Sequence, residues 1–369
     1  MSQSRFTSSF TPFPRLIVIT AVGLVLCACS SVKYYAQAAH GQGELVFRRR
    51  AVSAIVQDPA TNHEVASRLR LAQQARQFAS QRLGLPDNRS YTSYVELHRD
   101  YVVWNVFAAP RYSVDPVLYC FPIAGCVAYR GYFNEAAAKA EVTRLQQRGY
   151  DVEIGGVSAY STLGWFADPI LSSMLRWDDD ELDSTIFHEL AHQLIYVKDD
   201  TAFNESFATF VQTEGLREWR QSRGLPAQDD RMQAMDAGFT RLVLDLRERL
   251  KTLYASGVAE PAMAAGKQRE IAAFRDRYQQ WRDRDWPKEH DYDAWVAAPI
   301  NNARLLPFGL YDQWTPAFGV LFQRAEGSWP AFYASVRALA KLSEAQRGLK
   351  LRQLLADSHA NTASVEQPD

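Results

Sequence analysis

The chain has 369 residues, of which 47% are hydrophobic and 22% charged, and its formal net charge is −1. That balance describes a globular protein with a sizeable core, and it excludes the basic surface that a nucleic-acid partner would need. Arg5 and Arg15 flank a polar start, and Leu16 to Ala28 form an apolar run. The run is shorter than the roughly 20 residues that span a bilayer, so residues 1–28 read as a signal peptide. It ends in Leu26-Cys27-Ala28-Cys29, followed by Ser30. A branched residue, a small residue and then Cys29 form a bacterial lipobox. Cleavage before Cys29 would leave its thiol to carry acyl chains that hold the protein on a membrane. The expected location is the bacterial envelope, facing the periplasm. Ser30 in place of an aspartate favours the outer membrane.

Residues 29–60 are expected to form a tether and a first helix, from Val32 to Arg50. Asn62 to Leu83 reads as a helix with Val65, Leu69, Ala72, Phe78 and Ala79 on one face and Gly84 as its stop. Tyr91–Leu97 and Tyr101–Ala109 alternate like a strand pair around His98-Arg99-Asp100. Once Cys27 has left with the leader and Cys29 is the anchor, Cys120 and Cys126 remain. They bracket a loop containing Pro122 and Gly125, and an oxidising compartment would join them as a structural staple. Asn134 caps a helix that Gly149 ends, and Val152 to Thr162 is a further strand.

From Asp179 to Val197 the apolar residues Leu182, Ile186, Phe187, Leu190, Leu194 and Ile195 recur at helical spacing. This helix carries His188-Glu189-Leu190-Ala191-His192. His188 and His192 lie one turn apart, so both imidazoles reach one ion, and Glu189 stands beside them as a general base. A catalytic zinc takes three protein ligands and keeps one position open. Glu205 opens the next predicted helix, which runs to about Arg223. A turn around Lys198–Thr201 would fold that helix back and bring Glu205 to the histidines; Glu214 and Asp200 are alternative third ligands. Asp183 or a carboxylate on the second helix is expected to orient the imidazoles.

His188-Glu189-Leu190-Ala191-His192-Gln193 followed by Asn204-Glu205-Ser206-Phe207-Ala208 resembles the gluzincin metallopeptidases, above all the zinc aminopeptidases with HELAHQ and NEGFA motifs. The spacer from His192 to Glu205 is shorter than in the familiar members, so the loop must be tighter. The metzincin pattern is absent, since Ile195 and Lys198 stand where a glycine and a third histidine would be. Over its whole length the chain resembles predicted bacterial lipoprotein aminopeptidases, through the lipobox and the FPIAGCVAYRGYF, YSTLGWF and HELAHQ blocks. The resemblance implies one Zn²⁺ per chain on His188, His192 and Glu205, with peptides as substrates. It also implies a substrate-binding edge strand before the metal helix, which Tyr160, Ser161 and Thr162 would supply. The GAMEN block that anchors the substrate amine in NEGFA-type enzymes is missing.

After the second helix the pattern is almost wholly helical, with main helices over Met232–Tyr254, Gln268–Arg284 and Trp329–Leu355. Polar interruptions at Asn301–Arg304 and Phe308–Asp312 offer Tyr311, Asn302 and Arg304 as donors to an oxyanion, with Tyr160 as a rival. Asn302 and Arg304 are also candidates for substrate binding. The expected fold is α+β: a zinc peptidase lobe of helices and antiparallel sheet over 61–225, then a helical lobe over 226–357 and a fraying tail over 358–369. The expected function is a lipid-anchored zinc aminopeptidase. A metalloendopeptidase in the same compartment and a catalytically silent zinc-binding lipoprotein are the alternatives.

Overall fold

A computed structural model describes residues 32–121, 125–229, 231–308 and 313–365. The signal peptide and Cys29 lie outside these residues, as does Tyr311.

The chain enters through a helix, α1, over 32–47. It continues as β1 (Arg50–Ala51), α2 (Val52–Gln57), α3 (His63–Gln81), β2 (Ser93–Val95), β3 (Val103–Pro110), β4 (Tyr119–Phe121), β5 (Gly125–Val127), β6 (Tyr129–Tyr132), α4 (Glu135–Gln147), β7 (Tyr150–Val157) and β8 (Ile170–Leu171). From there it is helical: α5 (Asp179–Leu194), α6 (Thr201–Ser222), α7 (Arg231–Ala255), α8 (Glu260–Asp285), α9 (Asp293–Ala297), α10 (Thr315–Arg324), α11 (Trp329–Ala340) and α12 (Glu344–Val365). The architecture is mixed α+β with small sheets and a helical C-terminal part.

Local chemistry explains the boundaries. The Asn62 side chain accepts the amides of Glu64 and Val65 at the start of α3, and Asn134 accepts that of Ala137 at the start of α4. Gly84 and Gly149 follow α3 and α4 with φ of +68° and +81°, the left-handed geometry that glycine takes without a side-chain clash. Strand pairing departs from the sequence reading. Instead of pairing with each other, β2 and β3 join different sheets, one in the order β1-β2-β8 and one in the order β6-β3-β7. His98, at φ +54°, redirects the chain between them. β7 stops at Val157, earlier than expected, and the hydroxyl of Ser173 donates to the carbonyl of Ser158 as the chain leaves the sheet.

The largest core gathers α3, α5 and α6 with the two short strands β2 and β8, and it also takes in α10, α11 and α12. A second core lies among α7, α8 and α9, and a third between the β6-β3-β7 sheet and α4. The C-terminal helices are therefore two packing units, one of which returns to support α6. The buried Arg347 of α12 makes that return specific, placing its Nε 2.7 Å from the Asp200 carboxylate at the start of α6.

Candidate metal centre and active-site cleft

Asp178 caps α5 through the amide of Glu181, and Asp179, Asp180 and Glu181 place negative charge in the first turn, where the helix dipole favours it. α5 presents His188, Glu189 and His192 near its C-terminal end, and the chain reverses through Ile195–Asp200 into α6. Asn204 closes this turn by exchanging two 2.7 Å hydrogen bonds with the backbone of Val197. Asp200 caps α6 through the amide of Phe203. Asp199 sits at φ +65° and accepts the amide of Cys126 at 2.7 Å. Cys126 is disulfide-bonded to Cys120 across the β4–β5 hairpin. The short spacer is thus held at each bend, and α6 lies along α5 with Glu205 in its second turn.

The result is a three-ligand cluster. The Nε2 atoms of His188 and His192 are 3.1 Å apart, and Glu205 Oε2 lies 3.3 Å and 3.5 Å from them. His188 Nδ1 meets Gln212 Oε1 at 2.9 Å, while the Gln212 amide nitrogen donates to Ser184 Oγ. A carbonyl oxygen only accepts, so Nδ1 carries the proton and the Nε2 lone pair faces the cluster. Lone pairs converging this closely repel unless a proton or a cation lies between them. Charges follow the same logic. Burial pushes Glu205 up, but the His192 and His188 imidazoles outweigh it and hold the carboxyl well below the usual carboxylate range. For His192 burial acts downward, and the Glu205 and Glu189 carboxylates more than offset it, leaving the imidazole raised. Two imidazoles and a carboxylate that attract positive charge fit a metal ion, and zinc is compatible with that donor set.

The cluster opens into a cleft of about 690 Å³, lined also by Glu189, Tyr196, Tyr160, Ser161 and one face of the β6-β3-β7 sheet. Of the other residues singled out by sequence, Thr162 gives its hydroxyl and amide to Asp168 at 2.7 Å and 3.0 Å. Asn302 is buried, donating to the carbonyls of Pro110 and Arg111 and accepting from the Tyr254 hydroxyl. Arg304 lies 4.6 Å over the Trp295 ring and donates to the Pro299 carbonyl. Neither is among the residues lining the cleft, because the turn at Ala303–Leu305 packs against β3 and β7 beyond its far end. The rival third ligands are also engaged: Glu214 pairs with Arg217, and Asp200 with Arg347. Asp183 accepts from the Trp219 indole at 2.7 Å, so the partner of His188 is Gln212 rather than an aspartate, and His192 Nδ1 has no hydrogen-bond partner among the described residues.

Gln212 and Tyr196 went unread in the sequence. Gln212 follows Glu205 by two helical turns, and that spacing could have placed it on the same face of α6. Tyr196 follows His192 by four residues, but it lies past the end of α5, where helical periodicity carries no information.

A family model described as "Putative aminopeptidase" matches residues 33–351. No curated protein and no solved structure matches the chain. The matched stretch spans the strands of the described residues, the His188–His192–Glu205 cluster and the helices down to the first turns of α12, so the chain belongs to this aminopeptidase family.

Proposed function

We propose that the protein is a zinc aminopeptidase, with His188, His192 and Glu205 as the ligands and Glu189 as the general base. The observation that carries this reading is the convergence of the three ligand atoms beside Glu189 in one cleft. A zinc ion bound there would supply Lewis acidity, polarising the scissile carbonyl and making water acidic near neutral pH. Glu189 takes a proton from the attacking water and returns it to the leaving amine. Gln212 keeps the His188 ring in the tautomer that offers Nε2. Tyr160 and Tyr196 line the same cleft, and burial raises both phenols, Tyr160 to about 12. Each therefore keeps its proton at neutral pH and is able to donate to the developing oxyanion. The lipobox supports a location on the periplasmic side of the bacterial envelope with an anchor on Cys29, and Ser30 favours the outer membrane.

The test uses peptides with free and acetylated amino termini, wild type against Glu189→Gln. Retention of one zinc per chain with at least about a thousandfold loss of turnover is expected for the variant. Substantial turnover in Glu189→Gln would sink the base assignment. Equal cleavage of acetylated peptides would make the protein an endopeptidase.

A further inference from the structure

The cleft has a floor whose chemistry the ligand cluster does not use. β3 is the central strand of the β6-β3-β7 sheet, and its register sets Asn105 opposite Gly131 on β6 and opposite Gly155 on β7. Residues directly opposite in a sheet point to the same face. Asn105 lines the cleft, together with Val103 two residues before it and with Val157 and Gly131 across the sheet, and Gly155 adjoins them on the same face without being among the lining residues. The Asn105 side chain leans toward Gly131, where a Cβ would lie 3.2 Å from its Oδ1, whereas a Cβ at Gly155 would meet nothing within 4 Å. The Val103 side chain, whose Cγ1 would lie 3.0 Å from a Cβ at Gly131, also covers that glycine, so the open backbone of the row is on the Gly155 side of one half-buried carboxamide. No hydrogen bond to that carboxamide is found among the described residues. Glycines inside strands weaken a sheet, and they recur where another backbone must come close.

We propose that Asn105 and the open backbone at Gly155 form a main-chain subsite, where an extended peptide lies against the face of the sheet and Asn105 pairs with one of its peptide groups. A carboxamide offers a donor and an acceptor side by side, matching the C=O and N–H of a peptide unit and reading no particular side chain. The acidic residues among those lining the cleft are Glu189 and Glu205, both assigned to the reaction centre, and Glu153, two residues from Gly155 on β7, has Arg304 3.9 Å away. The substrate class at this subsite is thus peptides long enough to run along the sheet, held there by their backbone. This assignment deepens the peptidase reading and rests on it for the identity of the ligand.

Binding tests it without turnover. A hexapeptide with a free amino terminus and a C-terminal fluorophore is titrated into the full chain carrying zinc and Glu189→Gln, and anisotropy is read. Asn105→Leu added to that background should weaken binding about tenfold, the worth of two modest hydrogen bonds. Gly155→Val should do the same by filling the space above the sheet. Its side chain has room in the folded protein, and valine suits a strand, so melting temperature and zinc content should match the parent. Unchanged affinity in both variants overturns the subsite, as does failure of the parent protein to bind the peptide. Weakened binding by the variants, in a protein whose wild type hydrolyses no peptide, would keep the subsite and reject the peptidase reading instead.

Discussion

Gln212 is a small feature with a large expected effect on the metal centre. Its carbonyl fixes the proton of His188 on Nδ1, and its own amide is steadied by Ser184. Partners of this kind typically contribute 10- to 100-fold in metal affinity. Gln212→Leu should weaken zinc binding by roughly that factor in a chelator competition, while Gln212→Glu, a stronger acceptor, should bind at least as tightly as wild type. Equal affinity of the leucine variant would remove Gln212 from the centre. Asp183, on α5 with His188 and Ser184, gives a pH signature. Burial, reinforced by the charge of Asp179 and only partly offset by the Trp219 indole, pushes its carboxyl from 3.8 up to about 7. Its Oδ1 is buried with no hydrogen-bond partner among the described residues, which also favours the protonated form. The folded state therefore binds this proton more tightly than the unfolded chain does. Its contribution is fully present below the unfolded value of 3.8 and is lost as pH rises through about 7. Relative to Asp183→Asn, the wild type should lose up to roughly 4 kcal/mol of unfolding free energy across that window, as read by urea titration. Parallel pH profiles for the two proteins would contradict this.

Among the elements, the turn between α5 and α6 decides whether Glu205 meets the histidines, and it leans on a hairpin more than seventy residues away in sequence. Asp199 accepts the amide of Cys126, and Gly125 must be glycine there: φ is +78°, and a Cβ would come within 3 Å of the Asp199 carboxylate. Asp199→Ala should lower zinc affinity about tenfold, in line with the loss of a charge-assisted hydrogen bond. Asp199→Asn should retain it, since a carboxamide oxygen also accepts and asparagine tolerates the left-handed region. Reducing the Cys120–Cys126 bond should weaken zinc binding in wild type and have little further effect in Asp199→Ala. An alanine variant with wild-type affinity would uncouple hairpin and site.

These contacts also mark what the sequence could and could not convey. His188 and His192 are legible because one helical turn joins them, and the capping asparagines at 62 and 134 act within three residues. Glu205 was within reach because the turn before it is short. The separate sheets of β2 and β3, by contrast, depend on partners far along the chain. Asn302 and Arg304 look like site residues in a polar interruption, yet their roles are fixed by carbonyls and rings that no local pattern announces.

For the whole molecule, the question is how the α7–α9 unit is held to the sheet that floors the cleft. Lys267 of α8, 7% exposed, reaches Asp151 of β7 at 2.6 Å and donates to the Arg111 carbonyl. Asp151 also accepts the amide of Asn302, so one carboxylate joins three segments. Removing one partner of a buried pair leaves the other charge uncompensated, and Lys267→Met should destabilise the protein by about 3 kcal/mol. Lys267→Met with Asp151→Asn should recover part of that loss. A single variant as stable as wild type in guanidinium titration would show that the pair contributes nothing net.

Arg347 has a consequence of a different kind, in time rather than space. It grips the start of α6 from a position 147 residues further along the chain. During synthesis, the turn bearing Asp200 emerges long before the guanidinium that steadies it. Until nearly the last helix has followed, the turn that brings Glu205 to the histidines lacks one of its fixed contacts. Such an order of arrival delays the maturation of a peptide-cleaving site until the chain is almost entirely delivered, and a nascent protein spends its most vulnerable interval without a finished blade.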